Sequence, residues 1–159
     1  MKQIELLTNF DIIELCDLLQ IPLLECSAKT RINKNPLKKC AYVVNLDDYD
    51  GSHWTAIFIY NNNGIYFDSY NAQPPLEIIN FFDEHNIKWN SNNQQIQHLK
   101  SSACGYYCIA FLYHMTKYCN KNDLQLILYD FIEMFDTVKQ EENDKILQKY
   151  INQIFKHLI

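Results

Sequence analysis

The order of apolar and polar positions along the chain predicts its elements. Thr8 and Asp11 have the form of a capping box, with Leu7 and Ile12 as a hydrophobic staple around it. A first helix is therefore expected over residues 9–20, stopped by Pro22. A polar stretch follows over 27–39. AYVVNL (41–46) and HWTAIFIY (53–60) are runs of β-branched and aromatic residues, the pattern of buried strands. The NNNG turn at 61–64 and the run IYFDSY (65–70) complete an antiparallel hairpin. Pro74 and Pro75 stand where a helix accepts proline, and LEIINFFDEH carries that helix to about His85. Residues 89–99 are expected to hold a short strand around Ile96. A long apolar helix starts at Ala103 or Cys104 and runs to about Tyr118, and two more helices follow over about 122–136 and 141–158. In the last, Ile146, Leu147, Tyr150, Ile151, Ile154 and Leu158 recur at helical spacing. The order helix, strands, helix, strand, helices predicts an α+β fold with a central, mostly antiparallel sheet flanked by helices.

Length and composition bound what such a fold can be. With 159 residues and no repeat or composition break, the chain reads as one domain, 1–159. A hydrophobic share of 48% and an aromatic share of 14% exclude disorder. No apolar run approaches the ~20 residues of a membrane span, so no membrane partner is expected. The opening MKQIELLTNFD has acids among its apolar residues and does not read as a signal peptide. The chain is therefore expected not to be secreted, and its six cysteines to be thiols. The net charge is −5, and Arg31 is the single arginine among 14 cations, which argues against DNA binding.

The 3 glycines are far below the usual ~7%, so their positions are informative. Gly51 lies two residues before His53, Gly64 closes the NNNG turn, and Gly105 follows Cys104. Each flanks a residue capable of acid–base or nucleophilic chemistry. Cys104 opens an apolar helix, where free N–H groups and the helix dipole favour a thiolate, with Ser101 and Ser102 placed to help cap that end. His53 begins one strand and Asp68 lies on the strand that returns beside it, so both can point off the same end of the sheet. In a Cys–His–acid triad, His53 takes the thiol proton and Asp68 orients the imidazole. Gln97, seven residues before Cys104, can donate its amide to an oxyanion together with the Cys104 N–H. Taken singly, each has a structural reading: a buried small hydrophobe, a satisfied strand histidine, a strand end, a surface amide. The joint pattern points to catalysis.

GSHWTAIF, GIYFDSY and QHLKSSACGYYCIAFLYHM, with the spacing between them, resemble the adenovirus-type maturation cysteine proteases (the adenain family, of the Ulp/SUMO-protease-like clan). Those of virophages and Polinton-type elements look nearest. The likeness runs from the first helix to about Tyr118 and implies a papain-like, adenain-type fold with a catalytic core over 1–118 and the C-terminal helices of 119–159 packed on it. It implies nucleophile Cys104 at the start of a central helix, base His53, acid Asp68 and oxyanion donor Gln97. Trp54 and Gly105 would contact substrate, Trp54 lining a narrow channel for the main chain. The implied activity is a monomeric thiol endopeptidase that cleaves capsid or core precursors at Gly-Gly-like sites, in the virion and in the cytoplasm or nucleus of the infected cell. The chemistry implies no cofactor and no metal, although a peptide activator is compatible with it. Asp68 replaces the glutamate of the adenovirus enzyme, as on the Ulp side of the clan. A Ulp-like isopeptidase acting on SUMO or ubiquitin conjugates is the alternative, and a non-catalytic domain that grips glycine tails is a third reading. A zinc site at Cys104, Cys108, His114 and Cys119 is disfavoured. A continuous helix separates its ends by about 22 Å, and only Cys104 and Cys108 can share an ion.

Overall fold

Alternation along the strands decides the architecture. The computed structural model describes residues 6–46 and 53–158; the expectation for Gly51 lies outside them. Helix α1 (Asn9–Leu18) starts with the predicted capping box: the Thr8 side chain accepts from Asp11 N at 3.2 Å, and Thr8 N donates to the Asp11 carboxylate at 3.0 Å. It ends two residues sooner than the apolar spacing suggests, with Gln20 at a positive φ of 58°. Strand β1 (Leu23–Ala28) comes next and was not predicted. Its residues are half-buried throughout, with no alternation to betray them, and its strand form comes from pairing with β2 (Lys39–Asn45).

The remaining elements are β3 (Trp54–Tyr60), β4 (Asn63–Phe67), α2 (Leu76–Glu84), β5 (Lys88–Ser91), α3 (Cys104–Tyr118), α4 (Leu124–Ile132) and α5 (Asn143–Lys156). The sheet order is β1-β2-β3-β4-β5. It is antiparallel in the middle, at β2–β3 and β3–β4, and parallel at both edges, so the sheet is mixed. The short strand expected around Ile96 is instead β5, several residues earlier. Ile96 is fully buried in irregular chain, where its N–H donates to Ser69 O at 3.0 Å. Pro75 caps α2 rather than opening it. The hairpin turn is carried by Asn61 and Asn62, at φ 52° and 63°, and not by Gly64. Two successive left-handed residues match the twist of a tight hairpin. Gly64 sits inside β4, where a Cβ would come within 2.9 Å of Ile87 and 3.2 Å of Phe82.

Both faces of the sheet are covered. Ala41, Val43, Ala56, Phe58, Ile65 and Phe67 face one core, shared with α1, α3, α4 and α5. Their neighbours Tyr42, Val44, Ile57, Ile59 and Tyr66 face a smaller one under α2. This is why the strands read as unbroken apolar runs. Helix α3 lies across the centre: 11 of its 15 residues are buried, and Phe111 stacks on Phe67 with ring centroids 4.6 Å apart. No helix among the described residues is long and apolar enough to cross a membrane.

Candidate active site

The start of α3 meets the ends of β3 and β4. His53 immediately precedes β3 and Asp68 immediately follows β4, and the pairing of Ala56 with Phe67 brings both to one end of the sheet. Asp68 is nearly fully buried at 1% exposure, and its Oδ1 lies 2.8 Å from His53 Nε2. The same oxygen accepts from Tyr70 N at 2.9 Å. Asn92 clamps the Asp68 backbone, accepting from its N–H at 3.0 Å and donating to its carbonyl at 2.7 Å. A carboxylate only accepts, so Nε2 carries a hydrogen, and Nδ1 is the ring nitrogen left to exchange a proton with Cys104.

Cys104 provides the other side of the arrangement. It is 2% exposed, and its Sγ accepts from Trp54 N at 3.4 Å. One dipeptide, His53–Trp54, therefore addresses the sulfur twice, through a ring and through a backbone N–H. Nδ1 is buried, and no partner meets it at close hydrogen-bonding geometry. The Cys104 sulfur still acts on the ring through a looser contact and through its charge. Such bonds are often long before substrate arrives. Burial is the largest single influence on the His53 ring and opposes its protonation; the bonds to Asp68 and Cys104 and the charges of both outweigh it, and the pKa is raised to about 9. The ring is thus held as an imidazolium at neutral pH.

The other predicted residues are also near, with qualifications. Gln97 is fully buried, and its Nε2 donates to Ser101 O at 2.9 Å and Ser101 Oγ at 3.3 Å, while its Oε1 accepts from Ser69 Oγ. Its amide is thereby fixed beside the turn that leads into Cys104. Ser101 does not cap α3: its Oγ accepts from Ala103 N at 3.1 Å, and the N-cap, Ala103, offers no side chain to the helix N–H groups. Trp54 is 4% exposed, and its indole N–H donates to Leu7 O at 3.0 Å. Gly105 is buried against the same Leu7, which a Cβ there would approach to 3.1 Å. Tyr70 escaped the sequence reading: its ring stacks on His53 at 4.8 Å between centroids, and its hydroxyl donates to Ser101 O at 3.1 Å. Its place at the end of the IYFDSY run, two residues after the candidate acid, was the available signal.

None of the six cysteines forms a disulfide; burial pushes the Cys16 and Cys26 thiols up to about 12 and raises Cys108 well above the ordinary range. Among the described residues, no group of three or more His, Cys, Asp or Glu is placed to hold a metal ion.

No family model matches the chain, and no curated protein matches it. Among solved structures, the chain is similar to the ASFV pS273R protease: 16% identity and a TM-score of 0.61 over 91% of this chain and 67% of that one. A second structure of that protease gives 18% identity with the same score and coverage. The fold is that of the pS273R protease. The SUMO protease Ulp1, with its catalytic cysteine oxidised to a sulfenic acid, aligns over 98% of this chain and 80% of its own at 13% identity and a TM-score of 0.49.

Proposed function

We propose that the chain is a cysteine endopeptidase with Cys104 as nucleophile, His53 as acid and base, Asp68 as orienting carboxylate and Gln97 as oxyanion donor. One observation carries this reading: the His53 ring lies between Asp68 Oδ1, at 2.8 Å, and the sulfur of Cys104, which also accepts the Trp54 N–H at 3.4 Å. The proton shared by Cys104 and His53 rests on the imidazole, and the sulfur forms a bond to the carbonyl carbon of the scissile peptide as the C=O π pair moves to oxygen. The carbonyl oxygen gains negative charge opposite the Cys104 N–H and the Gln97 Nε2 hydrogen now held by the longer, 3.3 Å bond to Ser101. As the C–N bond breaks, the imidazolium gives its proton to the leaving amine, and water then releases the acyl group from sulfur. Neither half-reaction needs a cofactor.

The burial of the site supports a preference for small residues. Cys104 and Trp54 are almost wholly covered, and Leu7 packs against Gly105 beside the nucleophile. An extended main chain without a side chain next to the scissile bond reaches the sulfur most easily. Gly-Gly-like sites in viral capsid or core precursors are therefore the proposed substrates, processed by an adenain-like enzyme within the infected cell or the virion.

The test is labelling followed by cleavage. Iodoacetamide, or a peptide vinyl sulfone ending in glycine, should modify Cys104 ahead of the other five cysteines. Cys104→Ala should lose turnover of a Gly-Gly peptide by about 10^4-fold or more. Preferential labelling elsewhere, or cleavage that survives Cys104→Ala, would overturn the assignment. A precursor offered beside SUMO and ubiquitin conjugates separates the substrates, since efficient release of the modifier with the precursor intact identifies an isopeptidase.

A further inference from the structure

The polar groups around the site extend beyond those that do chemistry, into the first turn of α5. Asp144 Oδ1 receives Ser101 Oγ at 3.0 Å and the Tyr107 hydroxyl at 2.9 Å. We propose that Asp144 is a positioning residue for the oxyanion site and acts through Ser101, an inference that rests on the protease reading above.

The donors and acceptors at Ser101 leave one arrangement. A serine hydroxyl has one proton and two lone pairs, and a carboxylate has only lone pairs. The Ser101 proton must therefore lie on Asp144, which turns the oxygen's lone pairs to Ala103 N at 3.1 Å and Gln97 Nε2 at 3.3 Å. The direction of each bond at the Ser101 hydroxyl follows from that one acceptor. Ser101 O takes the other Gln97 hydrogen at 2.9 Å and the Tyr70 hydroxyl at 3.1 Å, and Tyr70 stacks on His53. A Ser101 hydroxyl turned away from Asp144 thus loosens the Gln97 amide first, while Ser101 O keeps its bonds to Gln97 and Tyr70.

The neighbouring residue shows what a purely structural contact looks like. Asn143 is fully buried; its Nδ2 donates to Ile96 O and Asp136 O, each at 2.7 Å, and its Oδ1 accepts from Asp136 N at 2.9 Å. Asn143 ties backbone to backbone. Asp144 instead meets two hydroxyls, one of them three residues before the nucleophile. Lys145, next in sequence, pairs with Glu142 at 3.0 Å.

The test compares two readouts of the same site in the full chain. Turnover of a Gly-Gly peptide needs the oxyanion donors, whereas alkylation of Cys104 by iodoacetamide needs only the activated sulfur. Asp144→Ala should lower kcat by about 10- to 100-fold, the scale of a small misplacement at a reacting centre, with KM and the alkylation rate little changed. Asp144→Asn keeps an oxygen acceptor and should restore most of the loss. In a Ser101→Ala background, Asp144→Ala should add almost nothing, because the two act as one unit. The inference is overturned by unchanged kcat in Asp144→Ala, by independent losses in the double variant, by alkylation falling in step with kcat, or by asparagine doing no better than alanine. If Asp144→Ala does not fold, Ser101→Ala with Asp144→Asn carries the test: a kcat loss in Ser101→Ala at an unchanged alkylation rate, with Asp144→Asn close to wild type, sustains the inference, and unchanged kcat in Ser101→Ala overturns it. Wild type that labels at Cys104 but cleaves nothing overturns the protease reading and this inference together; wild type that cleaves while Asp144→Ala cleaves equally well overturns only the inference.

Discussion

The two faces of the sheet are built from neighbouring residues of the same strands, yet they hold themselves together differently. Under α2, ten buried residues from Cys40 to Ile87 form a cluster dominated by aromatic contacts, such as Tyr42 against Phe81 at 5.1 Å and Phe82 on Trp89 at 5.6 Å. The α3 face has the larger apolar core and also buries Asp68, Ser69, Gln97 and Asn143, each hydrogen-bonded. An unpaired buried polar group costs about 1–3 kcal/mol, so these side chains are held by their hydrogen bonds, with Asp68 Oδ2 buried and unpartnered. Packing dominates the first face, where the Tyr42 hydroxyl also donates to Lys34 O at 2.8 Å. On the second, packing sets the elements and hydrogen bonds set the directions of reactive atoms.

Substitutions that separate these two roles sharpen the contrast. The largest effect is expected for Asp68→Asn, with turnover falling by up to about 10^4-fold, the scale on which an orienting carboxylate acts in serine proteases. The pH profile gives the sign. His53, with its pKa raised to about 9, keeps its proton below that value and loses it above, so wild-type activity that needs the imidazolium declines as pH rises through about 9. Without the Asp68 charge, that alkaline limb should move down toward the ordinary histidine value of ~6.5. The stability that His53 gains from its partners is complete below ~6.5 and disappears as pH rises through about 9, which thermal melts across that window can follow. An alkaline limb unmoved by Asp68→Asn would mean that Asp68 does not set the ring's proton affinity.

Next in size, Phe82→Ala should cost about 3–5 kcal/mol in urea unfolding, because it empties the centre of the α2 core. Its kcat per folded molecule should match wild type at a temperature where both are folded. A fall in kcat would show that the two faces are coupled through the sheet. The smallest effect is expected for Gly64→Ala. Its new Cβ presses on Ile87 and Phe82, a destabilisation of about 1–3 kcal/mol by overpacking, again with turnover preserved.

Much of this contrast was legible in the residues. The capping box of Thr8 and Asp11, the hairpin around residues 61–64 and the start of α3 at Cys104 are local patterns, and local patterns survive into the fold. Strand β1 and the irregular stretch around Ile96 were not legible. The first is a strand only because β2 lies beside it, and the second is buried only because other elements close over it. The site divides in the same way. His53, Asp68, Gln97 and Cys104 are marked by residue type and neighbours, whereas Tyr70 and Ser101 have only a place beside them and Asp144 has no mark, since a stacked ring, a turning hydroxyl and a carboxylate more than forty residues later in the chain have meaning only once they touch.

By itself, then, the sequence determined the helices and central strands, the α+β class and the four residues on which a thiol mechanism would rest, because period, caps and side-chain chemistry act within a few residues of the chain. Only the tertiary structure decided the mixed pairing of the sheet, the enclosure of Trp54 and Gly105 by Leu7, and the direction of every hydrogen bond around His53 and Gln97. Those depend on groups far apart in sequence meeting within about 3 Å, and hydrogen-bond strength falls away steeply once distance or angle departs from that geometry.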